Sequence, residues 1–320
     1  EYSLALARLL RRLGDEESAL RALTLASLAC ETYYVAPPDR IDGWAAEALA
    51  LSERLGDEDL KRDVQGRALG ARWRPDTAVE RHAVATAMAE SARGSRDVRS
   101  RALAGCWELI LETELGNIDA ARSLYRPLRH LVDDNHLSAL SPSLDLFEAS
   151  WAAQAGQHDV ARRSLTRVQD HARSAGSSHL ARAATALGVV NAALAGDADA
   201  VLETYGALGG VRREVPGHTA AAGLLLRVGE IDKARDIFTT HGAEVGRPIY
   251  VALFNSALAA ELALAFDDTA TAAHAYDYLR PFAGRPASSG ATGYIGPVDA
   301  YLALDPADPA QRRRANAHAT

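Results

Sequence analysis

A short phrase recurs along the chain at intervals near forty residues. It consists of an apolar residue, a glycine, a polar residue and, five positions after the glycine, an alanine. It reads Leu13-Gly14 with Ala19, Leu115-Gly116 with Ala121, Ala155-Gly156 with Ala161, and Val228-Gly229 with Ala234. Weaker copies stand at Leu55-Gly56 and Ala195-Gly196, and Phe266-Asp267 takes the same place without glycine. The steps from 14 to 56, 116 to 156, 156 to 196, 196 to 229 and 229 to 267 are 42, 40, 40, 33 and 38 residues. The longer gap from 56 to 116 accommodates one more unit, turning at Gly94. A period of this length is the signature of a stacked-repeat architecture, in which no single unit buries its apolar face alone.

The phrase reads physically as a helix-turn-helix joint. Glycine takes the left-handed conformation that ends a helix, and the polar residue after it (Asp15, Asn117, Gln157, Glu230) helps to start the next. The alanine falls one turn into the second helix, where a small side chain lets two helix backbones approach. Four residues on, Leu23, Tyr125, Leu165 and Phe238 share its face. Runs such as Leu103 to Leu115 and Leu180 to Leu194 carry apolar residues at helical spacing rather than in alternation. Prolines 37, 38, 75, 142, 216 and 248 fall between the helix pairs, and Thr77 with Glu80 has the pattern of a capping box. The prediction is an all-α chain, a right-handed α-solenoid of about seven to eight tetratricopeptide-like repeats. The repeat array occupies 1–283, a Gly/Ser-rich mobile loop 284–293, and further helices 294–320, with Pro297 and Pro309 at helix starts.

Composition agrees with a folded helical chain and excludes several function classes. Hydrophobic residues make up 48% and aromatic ones only 6%, so close-packed Ala and Leu helices are favoured over sheets. The net charge of −7 gives no general attraction for nucleic acid, and the arginines at 312–314 read as a solvated helix face. The most apolar stretch, Tyr250 to Phe266, is too short to span a bilayer and contains Asn255 and Glu261. Cys30 and Cys106 lie 76 residues apart without metal-ligand spacing, which predicts reduced, buried thiols and a cytoplasmic setting. The chain starts at Glu1 inside what reads as a helix, as an excised piece of a longer protein would.

No P-loop, dinucleotide fingerprint, nucleophile elbow or HExxH motif occurs, so no enzyme, metal or cofactor is implied. The segment from His130 to His136 with Asp133 and Asp134 reads as an exposed linker, and Asp267-Asp268 as a helix-start cap. Polar and aromatic residues inside the apolar first helices are the candidates for a binding groove. Glu108 and Glu148 occupy equivalent places 40 residues apart, with Trp107 and Trp151 beside them, and Asn191 and Glu261 are isolated polar residues among Ala and Leu. They read either as core groups satisfied by neighbouring helices or as the lining of a concave surface, with Glu261 hydrated and facing it.

The stretch from about Ala71 to Leu302 resembles the C-terminal repeat region of actinobacterial signal-transduction ATPase regulators, the LuxR-type, MalT-like proteins and the antibiotic regulatory proteins (SARP). The residues that carry the resemblance are RHAVA (81–85), SRDVRSRAL (95–103), ELGNIDAAR (114–122), YLRPFAG (278–284), Gly296-Pro297-Val298 and Tyr301-Leu302. The resemblance implies a sensor domain that receives a small molecule or a protein partner. It would then bias neighbouring ATPase and DNA-binding modules, without touching DNA or membrane itself. A plain protein-protein scaffold is the alternative.

Overall fold

The computed structural model describes residues 2–207 and 217–304. The 312–314 arginines, the helix start at Asp308-Pro309 and Pro216 lie outside the described residues. Among the described residues the chain is helical but for one small hairpin. In order come α1 (Tyr2–Leu13), α2 (Ala19–Glu31), α3 (Pro38–Leu55), α4 (Glu58–Ala71), α5 (Ala78–Arg93), α6 (Val98–Glu114), α7 (Ile118–Asp134) and α8 (Ser141–Gln154). There follow α9 (His158–Ser174), α10 (Ser178–Ala195), α11 (Ala198–Ala207), α12 (His218–Arg227), α13 (Ile231–His241), α14 (Ala252–Ala265) and α15 (Thr269–Leu279). The strands β1 (Pro286–Ser288) and β2 (Tyr294–Pro297) precede α16 (Val298–Leu302).

The joints explain the period. Gly116, Gly156, Gly196 and Gly229 have φ of 86°, 71°, 73° and 84°, and Asp267 takes the same left-handed conformation at 58°. At each joint the next residue's N–H reaches back five residues. Asn117, Gln157, Asp197, Glu230 and Asp268 donate to the carbonyls of Glu112, Ala152, Ala192, Leu225 and Ala263 at 2.8 to 3.0 Å. That bond satisfies a carbonyl the helix end would leave open, which is why two helices are joined in so few residues. The alanines of the phrase then fall where two backbones meet: Ala121, Ala161 and Ala234 are fully buried.

Four details differ from the sequence reading. After Gly14 the connection is longer, Ser18 caps α2, and Ala19 is exposed while Ala22 takes the buried place. Gly94 keeps an ordinary φ of −83°, and the turn into α6 is made by Asp97, whose carboxylate accepts from the N–H groups of Arg99 and Ser100. The capping box at Thr77 does not form: the Thr77 hydroxyl donates to the Arg74 carbonyl, and Glu80 pairs with Arg72. The polar residues Asn117, Gln157 and Glu230 occupy cap positions without a side-chain cap bond, whereas Asp57, Asp197 and Asp268 cap through their carboxylates.

Two compact units emerge, one from Glu1–Thr113 with Asn117–Leu140 and the other from Glu114–Gly116 with Ser141–Thr320. In the first, α2 packs on α1, α3 and α4 around Leu25, Leu51 and Val64. Leu69, Met88 and Leu111 make a further core from α4, α5 and α6, and Leu128 of α7 presses on Gly105 of α6. In the second, α9 packs on α8 and α10 through Ala149, Leu165 and Ala184. The largest core of that unit gathers Leu225, Phe238, Leu258 and Leu262 from α12 to α14 with Ile295, Val298 and Tyr301.

The segment expected to be an irregular loop over 284–293 is instead half of an antiparallel hairpin. Pro286 faces Pro297 and Ser288 faces Tyr294, the turn between them is tied to the Tyr250 carbonyl by the Gly290 N–H at 2.9 Å, and Ala287 and Ile295 are buried. Glycines that break a helix here permit a turn that packs.

Candidate functional site

The second unit contains an apolar cavity of about 280 Å³ between α10, α11, α12, the start of α14 and the hairpin turn. Leu187 and Val190 of α10, Ala221 and Leu224 of α12, and Phe254 of α14 form most of its wall. Ser289, Thr292 and Gly293 close the side toward the hairpin, and no charged side chain lines it among the described residues. These walls come from the same helical faces that make the core, held slightly apart. Gly223 of α12 allows a close approach to α14, where a Cβ would come 2.7 Å from Leu258.

One polar side chain enters this wall from a helix. Asn255 is 3% exposed, and its Nδ2 donates to Glu244 Oε2 at 3.2 Å. Glu244 is fixed in turn, its N–H donating to Thr219 Oγ1 at 2.8 Å and its other oxygen lying 3.4 Å from Arg247. Burial raises the Glu244 carboxyl above the usual carboxylate range, with Arg247 and Asn255 acting against that rise.

The hairpin side is pinned by a separate charged group. Arg227 donates to both oxygens of Glu261, from Nε at 2.9 Å and from Nη2 at 2.6 Å, and Nη2 also reaches the Tyr301 hydroxyl at 2.6 Å. The Tyr301 hydroxyl donates to the Ile295 carbonyl at 2.9 Å. Glu261, expected to face water in a groove, is therefore an ion-pair member holding α12, α14 and α16 together. Its partner stands 34 residues away, beyond the reach of any local pattern. Burial and the Glu261 charge push the Tyr301 phenol upward, and Arg227 opposes them.

The other candidates are built into helix packing. Trp107 lies over Gly66 and Gly70 of α4, where a Cβ would come 3.7 and 3.8 Å from the indole, and its ring meets Trp73 edge-on at 5.6 Å. Glu108 is partly buried, which raises its carboxyl, with Arg93 and His82 working the other way. Glu148 accepts from Ser164 Oγ at 2.9 Å and pairs with Arg167, which also holds Asp145. Trp151 packs on Phe147 at 5.7 Å. Asn191 is buried, and its Oδ1 accepts from His158 Nδ1 at 3.0 Å. Trp107 and Glu108 belong to the first unit and the other four to the second, and none of the six lines the cavity. Asn255, noted in the sequence only as a polar interruption of an apolar run, is the residue that does.

Both cysteines are free thiols. Burial pushes Cys30 up to about 11 and Cys106 up to about 12, so neither is a nucleophile near neutral pH. Among the described residues no cluster of His, Cys, Asp or Glu is arranged to hold a metal ion, and no helix is long and apolar enough to cross a membrane. No model of a known protein family matches the chain, and no curated protein matches it.

Proposed function

We propose that this chain is the ligand-sensing domain of a bacterial transcription regulator, a tetratricopeptide-like helical array with no catalytic chemistry of its own. The observation that carries the reading is the cavity. A mainly apolar, partly open cavity of this size with a few converging polar groups suits a small molecule, whereas a peptide or helix is received in a longer trough. The recurrent joints and the packing of successive helices support the repeat architecture. The resemblance to SARP and LuxR-type regulators supplies the setting. In it, the ligand state of the array biases a neighbouring ATPase and, through it, a DNA-binding module that controls secondary-metabolite genes such as those for antibiotics.

The test is a thermal-shift survey of the 320-residue chain against small neutral metabolites, repeated on Ala221→Phe, which fills the cavity. A compound that raises the melting temperature of the parent but not of the variant is the expected result. Stabilisation that survives the filling would remove the cavity as the sensing site and leave the scaffold reading in its place.

A further inference from the structure

We propose that the cavity selects an uncharged, compact, largely hydrocarbon molecule about the size of two fused rings, bearing one hydrogen-bond donor that is received by the side-chain carbonyl of Asn255. This inference rests on the ligand-sensing reading above and narrows it to a chemical class.

Size comes first. A cavity of roughly 150 Å³ admits a benzene ring, and the present one, at about 280 Å³, is near twice that. Charge follows from the lining. Among the described residues, leucine, valine, alanine and phenylalanine make most of the wall, with neutral hydroxyls and one amide among them. An ionised ligand would leave water without a counter-charge to meet it, and that transfer is too costly for such a site to hold it.

The polarity of the anchor follows from the Asn255 amide. Its acceptor Glu244 is a carboxylate that only receives hydrogen bonds, so the NH2 end must face Glu244. The Oδ1 end is thereby turned to the remaining side, and Asn255 makes no other side-chain hydrogen bond among the described residues. An acceptor on the wall of a cavity with no protein donor bound to it is available to a donor from the ligand, which takes the place of water there. The hydroxyls of Ser289 and Thr292 rotate to suit and fix no polarity. Glu244 is itself tied to Thr219 at the start of α12, so the anchor is held by two helices rather than by one flexible side chain.

Calorimetric titration of the intact chain with 2-naphthol, 2-methoxynaphthalene and 2-naphthoate separates the parts of the proposal. The expected order is 2-naphthol first, the ether about tenfold weaker or more because its donor is gone, and no binding of the anion. Asn255→Leu should bring naphthol and ether to the same affinity while both still bind, and Asn255→Ala makes the same comparison if the leucine variant does not fold. Ala221→Phe should abolish binding of all three. Naphthoate binding as well as naphthol, or an unchanged naphthol-to-ether ratio in the Asn255 variants, overturns the ligand class and leaves the cavity as a site. Absence of binding by every neutral probe to the parent chain, with no other neutral compound stabilising it, overturns the sensing reading and this inference with it.

Discussion

An arginine whose fork is filled by one carboxylate and one phenol hydroxyl leaves little room for change. Arg227, Glu261 and Tyr301 are such a set, with the two charged side chains each 23% exposed. Glu261→Gln removes one charge and leaves the other without its counter-ion, so a loss of about 1.5–3 kcal/mol is expected, the range for hydrogen bonds to charged groups. Thermal melting followed by circular dichroism reads it, and an unchanged transition would mean that the pair is solvated. Glu108 behaves in the opposite sense. Its carboxyl is raised by burial, so protonation favours the folded chain and the associated stability is lost as pH rises through the folded value. Glu108→Gln should therefore raise the melting temperature at pH 7 and lose that advantage near pH 4. From sequence, both glutamates look alike as single charges in apolar helices. What separates them is a partner on another helix, which periodicity does not encode.

At the scale of elements, the glycines of α10 to α12 make two different demands. Gly196 has φ of 73° with open space where a Cβ would stand, so Gly196→Ala should cost about 1–2 kcal/mol through the backbone alone. Gly223 sits in an ordinary helix against Leu258, so Gly223→Ala should cost about 1–3 kcal/mol through steric crowding. Urea unfolding distinguishes them when each is paired with Leu258→Ala, which should relieve the loss at Gly223 and not at Gly196. Ala121→Leu and Ala234→Leu should each cost about 1–3 kcal/mol as well, since both alanines are fully buried at helix contacts. The joints were legible because glycine, cap and alanine lie within seven residues of one another, and their hydrogen bonds close locally. The hairpin was not. Its strands are three and four residues long, too short to show alternation, and its glycines and serines are those of an unstructured loop.

For the whole molecule, composition sets the limits and topology sets the site. With a net charge of −7, the chain should give no sequence-specific DNA complex at ~150 mM salt in a mobility-shift assay, where weak phosphate contacts are largely lost. A promoter shifted while scrambled DNA is not would contradict this. The all-helical class was readable from apolar spacing spread over the whole chain. The cavity was not, because Leu187, Leu224, Phe254 and Thr292 are far apart in sequence and each taken alone is an ordinary helix or loop residue. Glu108, Glu148, Glu261, Trp107 and Trp151 stand out in the sequence because they interrupt or flank apolar helical runs. Glu148, Asn191 and Glu261 are each met by a partner on another helix, and Asn255 gives its Nδ2 to Glu244.

The tyrosine that joins Arg227 to the Ile295 carbonyl also has an optical consequence. A phenol whose ionisation is driven upward by burial stays dark at the phenolate wavelength while its segment is docked, and absorbs once the segment comes away. The difference in alkaline ultraviolet absorbance between the parent and Tyr301→Phe therefore isolates one of the ten tyrosines. That difference signal should rise late and abruptly, in step with the release of the hairpin, and so convert that release into a colour change that needs no attached dye.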